Sequence, residues 1–367
     1  MKKLMLTTAI ASVLTTAAIA QTTITGELRL NWKDVSMPKG TTGLLTSNDS
    51  AYGFGAEQQI NIQTKGKLNL GGLDYAAGFS IENDGEQVST IFNENVYMDF
   101  TNASSGTTIS FGRDHIQRSD SDTSATNLVG FTPNELSQIN NATAGGTWFN
   151  QNLGPATSQQ YGIAIIQNSP IGKFSYNYVP NNAKPAATVA VTDGTTPTNA
   201  NQVGVAGSEA VNPNSTAAYE YGFVGDLGVK GLQAHYFKSA NDDLQVIYAG
   251  GAAVKAEAKN YGVRYNFGQF SVGANKKVYN SEAVSLTETT EKAFAAAYAI
   301  NKDLTIGVIK ATADRNTSTV DQHVKGINLG YNLGPVALAA GYAKTSDAEG
   351  NAGADNDVFM IRLLGAF

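Results

Sequence analysis

Asp357-Val358-Phe359-Met360-Ile361-Arg362-Leu363-Leu364-Gly365-Ala366-Phe367 ends the chain, and how this stretch is read decides the fold. Counted back from Phe367, every second position is apolar or glycine: Gly365, Leu363, Ile361 and Phe359. The positions between them hold Ala366, Leu364, Arg362, Met360 and Val358, so one charge sits inside an otherwise apolar run. A helix would surround Arg362 with apolar neighbours, whereas a strand gives one apolar face and a second face that carries the arginine. A strand that stops on an aromatic, with no polar tail, suits a sheet that crosses a membrane and ends in the aromatic belt. A buried terminal strand of a soluble domain fits the same residues, so the rest of the chain must discriminate.

The other end supplies an address. Lys2 and Lys3 precede an apolar stretch from Leu4 to Leu14, and Ala18-Ile19-Ala20 has the small-x-small form of a cleavage site. This pattern predicts a secretory signal peptide over residues 1–20, with the mature chain starting at Gln21. The stretch is too short and too polar for a spanning helix. Of 25 basic residues, removal of those two lysines leaves 23 against 31 acids, a net charge of −8. That balance argues against a nucleic-acid partner, which would favour a basic surface. With no cysteine, neither a disulfide framework nor thiolate chemistry is available.

After residue 20 no stretch approaches the roughly 18 apolar residues of a membrane helix. The mean hydropathy of −0.19 reads as soluble. A transmembrane barrel gives the same average, because each strand alternates lipid-facing with lumen-facing residues. Only 15% of residues are charged, while the chain has 38 glycines and 31 tyrosines and phenylalanines combined, a balance suited to strands and tight turns.

Along the chain one unit recurs: an alternating strand, a short turn with Asn or Gly, and another alternating strand. Asn69-Leu70-Gly71-Gly72-Leu73-Asp74, Asn266-Phe267-Gly268-Gln269, Ile300-Asn301-Lys302-Asp303 and Tyr331-Asn332-Leu333-Gly334-Pro335 are such turns. The other connections are long and polar, over residues 35–52, 84–91, 114–158, 180–217, 240–258, 280–289, 313–319 and 345–355. Short and long connections therefore alternate, as in an outer-membrane barrel with tight periplasmic turns and extended external loops. The spacing predicts an all-β, transmembrane antiparallel barrel of about sixteen strands. In the first strand Ile24, Gly26, Leu28, Leu30 and Trp32 share one face, and Thr25, Glu27, Arg29, Asn31 and Lys33 the other. With no helices predicted to cover the apolar faces, the strands must face one another or face lipid.

Three features carry a resemblance to a known family. They are Gln21-Thr22-Thr23-Ile24-Thr25-Gly26-Glu27-Leu28-Arg29 at the mature start, Ser110-Phe111-Gly112-Arg113-Asp114 ahead of a long loop, and a last strand terminating on Phe367. On these the chain resembles the general porins of Gram-negative outer membranes, over essentially all of residues 21–367. The resemblance implies a single sixteen-stranded barrel domain, assembly as a homotrimer, and a third external loop folded into the lumen as a constriction. It identifies residues 114–158, after the fifth predicted strand, as that loop. It also implies that the terminal strand, with Phe359, Ile361, Leu363 and Phe367, is the insertion signal read by the barrel-assembly machinery.

Passive diffusion needs only a water-filled hole of chosen width and charge, with no cofactor. Arg29, Lys65, Lys67, Arg264, Lys277 and Arg362 have inward parity, and pairing of the first and last strands in a closed barrel would place Arg29, Arg362, Lys65 and Lys67 on one wall. The loop offers Asp114, Asp120, Asp122 and Glu135, so a basic wall would face an acidic loop across the opening. Arg113 shares parity with Ile109 and Phe111, which puts it at the loop's start above the membrane. His115, His235 and His323 are the only histidines; no spacing marks a nucleophile beside them, and His235 and His323, on or beside strands, read as polar surface residues. Ser119-Asp120-Ser121-Asp122 lacks the glycine and terminal Glu of a calcium loop, so no metal is expected. The sequence thus predicts a non-enzymatic outer-membrane channel for small hydrophilic solutes and ions. Two alternatives stay open: a substrate- or anion-selective channel, and an exported β-sandwich adhesin that is soluble without detergent.

Overall fold

Alternation at period two is what makes these segments strands, because it gives each a face to bury and a face to wet. The structure, a computed structural model, describes residues 21–36, 50–68, 72–85, 92–113, 115–116, 125–137, 161–180, 217–244, 254–281, 288–315, 318–350 and 352–367. The expected signal peptide at residues 1–20 lies outside them. Sixteen strands follow in order: β1 (Gln21–Ser36), β2 (Ser50–Lys67), β3 (Leu73–Gly85), β4 (Phe92–Asn102), β5 (Thr107–Gly112), β6 (Gly162–Ser169), β7 (Gly172–Val179) and β8 (Ala218–Gly225). The second half comprises β9 (Leu232–Leu244), β10 (Val254–Phe267), β11 (Phe270–Ser281), β12 (Thr289–Ala299), β13 (Leu304–Arg315), β14 (Gln322–Asn332), β15 (Val336–Ser346) and β16 (Asn356–Ala366). Each pairs antiparallel with its sequence neighbours, and β1 pairs with β16, so the sheet closes.

Closure sits on the C-terminal stretch, residues 357–367. Leu30 pairs with Leu363, Asn31 with Arg362 and Trp32 with Ile361. The Phe367 N–H donates to Gly26 O at 3.0 Å, and Gly26 N–H donates back to Phe367 O at 2.8 Å. The outer face is apolar and open: Ile327 is 60% exposed and Phe294 50% exposed. The opposite parity faces inward and holds the polar residues, among them Arg29, Asn61, Asn260, Asn275 and Lys277.

The short turns close by one device. The Asn301 side-chain oxygen accepts from Asp303 N at 2.8 Å and Leu304 N at 2.9 Å. Asn332 does the same for Gly334, Asn102 for Ser104, and Asp226 for Gly228. An Asx side chain that mimics a backbone turn explains why Asn and Asp punctuate this end of the barrel.

Two expectations need correction. The loops over 35–52 and 240–258 are shorter than alternation predicts: β1 and β2 pair up to Ser36 with Ser50, and β9 and β10 extend to Leu244 and from Val254. The ladder continues there on backbone hydrogen bonds after apolar alternation has ended, so periodicity alone misses it. Helix is also present: α1 (Pro133–Ser137) lies in the long loop after β5. Its start is a capping box. Glu135 N–H donates to Thr132 Oγ1 at 3.2 Å while Thr132 N–H donates to Glu135 Oε2 at 2.7 Å, with Pro133 at the first helical position.

Candidate functional site: the lumen and its inward segment

Sixteen strands enclose more space than their own side chains fill, so a barrel of this size leaves an aqueous lumen unless something enters it. Here the chain after β5 enters. Residues 115 and 116 lie against the inner wall of β4 and β6–β8. The His115 ring stacks on Tyr97 with centroids 3.8 Å apart, and its Nε2 lies 3.1 Å from Asp99 Oδ2. Ile116 is fully buried, and Asn177 Nδ2 donates to its carbonyl at 2.9 Å. Farther along, Ala125 crosses Gly273 on β11 so closely that any Cβ there would overlap the Ala125 carbonyl.

Residues 128–136 then lie on the inner face of β12–β16. Phe131 and Leu136 are wholly buried in a cluster with Ile309, Val324, Ala339, Ala343, Val358 and Met360. A Cβ at Gly341 would come within 2.8 Å of the Phe131 ring, so glycine makes room for the aromatic. Asn328 Nδ2 donates to Phe131 O at 3.0 Å from the wall. Around this cluster both faces of the strands are mainly apolar: the outer face meets lipid, and the inner one receives the loop.

Arg362 fastens the segment. Its Nη2 reaches Glu135 Oε1 at 2.5 Å, its Nη1 donates to Gly130 O at 3.0 Å, and its Nε donates to Asn31 Oδ1 at 2.8 Å. The guanidinium carbon stands 4.7 Å from the Phe131 ring centroid, within cation–π range. Lys33, inward on β1, lies within electrostatic reach of Glu135.

The structure brings together some of the residues singled out from the sequence and separates others. Arg362 and Glu135 touch directly, so on this wall the acid lies on the base instead of opposite it. Arg29 is diagonal to Arg362 and bound by Glu27 at 2.7 Å and Glu57 at 2.6 Å. Lys65 pairs with Gln21, ten residues from Asn31 and so about 30 Å of strand away at ~3.3 Å per residue. Lys67, opposite Asp74, lies lower still, and neither lysine shares a level with Arg362. Arg264 donates to Asn266 near the short-turn end, and Lys277 stands between Asn260 and Glu291 on the inner wall. Arg113 is held at the end of β5 by its N–H, which donates to Val96 O at 2.7 Å. Asp114, Asp120 and Asp122 lie outside the described residues. Phe359, Ile361 and Leu363 occupy the outer row of β16, with Phe359 edge-on to Trp32 at 5.7 Å.

His235, expected on the surface, is buried instead, with Nε2 3.2 Å from Asn260 Oδ1 and 3.1 Å from Asn275 Oδ1. Sequence reading missed Lys33 beside Glu135, Asn31 beside Arg362, and Phe131 as the anchor of the inward segment. One usable signal was present. Thr132-Pro133-Asn134-Glu135 is a helix start, and a helix in an external loop needs a wall to pack on.

Comparison with known proteins agrees with this architecture. No curated protein matches the sequence. Among solved structures the chain is similar to an anion-selective porin from Comamonas acidovorans, with TM-score 0.64 and 15% identity over 95% of this chain and 100% of that one. It is also similar to OmpF of Salmonella typhi in complex with daunomycin, with TM-score 0.63 and 13% identity over 95% and 98%. A triple mutant of the Rhodopseudomonas blastica porin gives TM-score 0.57 and 14% identity over 95% and 100%. At such identities the likeness establishes the fold. The family profile of Gram-negative porins matches residues 7–363, nearly the whole length. The chain belongs to the Gram-negative porins and is an outer-membrane channel for small solutes.

Proposed function

We propose that this porin passes small hydrophilic solutes and ions by passive diffusion, with residues 114–158 narrowing the lumen. The observation that carries the reading is the attachment of residues 128–136 to the inner wall through Arg362, Glu135 and Phe131. A segment fixed inside a sixteen-stranded barrel reduces the cross-section whatever its charge. The pore is only weakly ion-selective, because the inner cations nearest the segment are compensated: Arg362 by Glu135, and Arg29 by Glu27 and Glu57. That pairing argues against an anion ladder. A channel, and not an enzyme, also suits the histidines. His115 is tied to Asp99 and Tyr97, and His235 stands between two amides.

The same proposal includes export by a signal peptide over residues 1–20, insertion through recognition of Phe359, Ile361, Leu363 and Phe367 by the barrel-assembly machinery, and assembly as a homotrimer. The test is single-channel recording in a planar bilayer. Stepwise openings with reversal potentials close to zero in a salt gradient are expected. Correctly folded protein that stays electrically silent would sink the reading.

A further inference from the structure

The outer face carries a pattern that channel formation does not require. Among the described side chains, seven consecutive strands each present one outward lysine: Lys238 on β9, Lys259 on β10, Lys276 on β11, Lys292 on β12, Lys310 on β13, Lys325 on β14 and Lys344 on β15. All lie at one level. Lys238 is six residues above Leu232, Lys276 six above Phe270, Lys310 six above Leu304 and Lys344 eight above Val336. Below them the outward residues are apolar, as in Phe294, Val308, Ile327 and Tyr342. Above them, on β12–β15, the outward residues are polar: Thr290, Thr312, His323 and Ser346. The lysines therefore mark the edge of the lipid-facing band at the long-loop end.

Lys238 and Lys259 share Glu257, at 2.5 and 2.6 Å. Strands β13–β15 differ. Lys310 pairs with Lys325 and Lys325 with Lys344, a row of three exposed cations in direct register, and none of them forms an ion pair with a described residue. Directly opposed like charges destabilise a sheet, more so beside a low-dielectric layer. The one acid in the row, Asp357, follows Lys344 and engages the Tyr342 hydroxyl. Beneath the row the wall is hollowed by about 530 Å³, an apolar recess lined by Ala296, Val308, Ile327, Leu329, Ala340 and Tyr342 among others. Val308, Ile327 and Tyr342 stand two residues below Lys310, Lys325 and Lys344 respectively. The small side chains of Ala296 and Ala340 leave the recess between flanking rings.

We propose that the outer face of β12–β16 docks a net-anionic, phosphate-bearing membrane lipid. Its headgroup phosphate bridges Lys310, Lys325 and Lys344, and an acyl chain lies in the recess below. The headgroup relieves the repulsion within the row, and the recess holds the chain by apolar burial. Lysine stems are long enough to reach the interface from the strand level. The inference rests on the membrane-spanning reading of the barrel.

The test is native mass spectrometry of the detergent-purified protein titrated with phosphatidylglycerol, with phosphatidylcholine, and with inorganic phosphate. The wild-type protein should prefer phosphatidylglycerol. The combined variant Lys310→Gln, Lys325→Gln, Lys344→Gln should lose that preference by roughly tenfold or more. Lys302→Gln, at the short-turn end, should leave it unchanged. Ala340→Trp fills the recess while keeping the lysines, and should weaken both lipids. Should the triple variant fail to insert, Lys325→Gln alone should give a smaller loss in the same direction. A conducting wild-type protein with no preference, a conducting lysine variant that keeps it, or displacement of the lipid by inorganic phosphate would overturn the proposal. Absence of current from every form would instead overturn the channel reading.

Discussion

Arg362 lies on the strand whose opposite face meets lipid, and it commits its donors to three separate acceptors. Nη2 binds Glu135, Nη1 binds a carbonyl of the inward segment, and Nε binds Asn31 on the neighbouring strand. The planar guanidinium allows this and still stacks on Phe131, so lysine would not substitute. Its side chain is 13% exposed, so loss of the charge partner leaves an ion in a mostly dry site. The two single variants should therefore act in opposite directions. Glu135→Gln leaves Arg362 uncompensated and should move the reversal potential toward anion selectivity. Arg362→Gln leaves Glu135 uncompensated and should move it toward cations. Both should raise conductance, because charge-assisted hydrogen bonds of about 2 kcal/mol each hold the segment down. Shifts of the same sign in a salt-gradient measurement would mean the pair is not at the narrow part of the pore. The inward face of Arg362 was legible from the sequence, since strict alternation through Phe359, Ile361 and Leu363 fixes it. Its partners were not: Glu135 lies 227 positions away, and nothing in the local pattern encodes that distance.

The inward segment is a small domain docked on a larger wall. Its own stability is local, from the Thr132–Glu135 capping box, and its position is tertiary, from Phe131 and Leu136 against Gly341 and Gly326. These can be separated by mutation. Thr132→Ala removes a cap and should cost about 1 kcal/mol, leaving the segment docked. Phe131→Ala should cost about 3 to 5 kcal/mol, more than a short segment can lose and remain bound. Because local opening need not involve the sheet, the barrel's thermal midpoint by circular dichroism should stay near the wild-type value for both variants. Limited proteolysis should cut the loop of Phe131→Ala and spare that of Thr132→Ala. Equal protection of the two would place the holding energy elsewhere. The wall half of this arrangement left a mark in the sequence. On β12–β16 the inward positions include Ala293, Ala295, Ile309, Ala311, Val324, Ala339, Ala343 and Val358, an apolar patch where a bare lumen would be polar. Strands apolar on both faces imply a cover on the inner one, and Gly307, Gly326 and Gly341 say that the cover comes close. The sixteen-strand count and the alternation of turns with loops could be read directly, because each hairpin is local. Which strands the loop chose could be read only by comparing the two faces.

Around its circumference the barrel is not uniform. From β9 to β15 the outer face ends in the lysine row, whereas among the described residues of β1, β2 and β6–β8 the outward positions near the long-loop end include the rings of Trp32, Phe54, Tyr52, Tyr161, Tyr178 and Tyr219 and no lysine. A surface meant for lipid headgroups gains from cations at that level, since each lysine near an anionic surface is favourable. A surface meant for a second protein gains from large rings and loses from unpaired ammonium groups, because interfaces are enriched in aromatics and depleted in lysine. If the porin is a homotrimer, the lysine-free arc is then the side turned toward neighbouring subunits. Phe54, 89% exposed in the single chain, is the test position, and Ile327, in the lipid recess, is its counterpart. The chain has no cysteine, so Phe54→Cys and Ile327→Cys each give one site for a fluorescent label. In vesicles containing brominated acyl chains, the label at position 327 should be strongly quenched. The label at position 54 should be shielded in the oligomer and become quenched when a detergent that dissociates subunits precedes reconstitution. Equal quenching at both positions in the intact assembly would mean that the aromatic arc faces lipid and that subunits meet elsewhere.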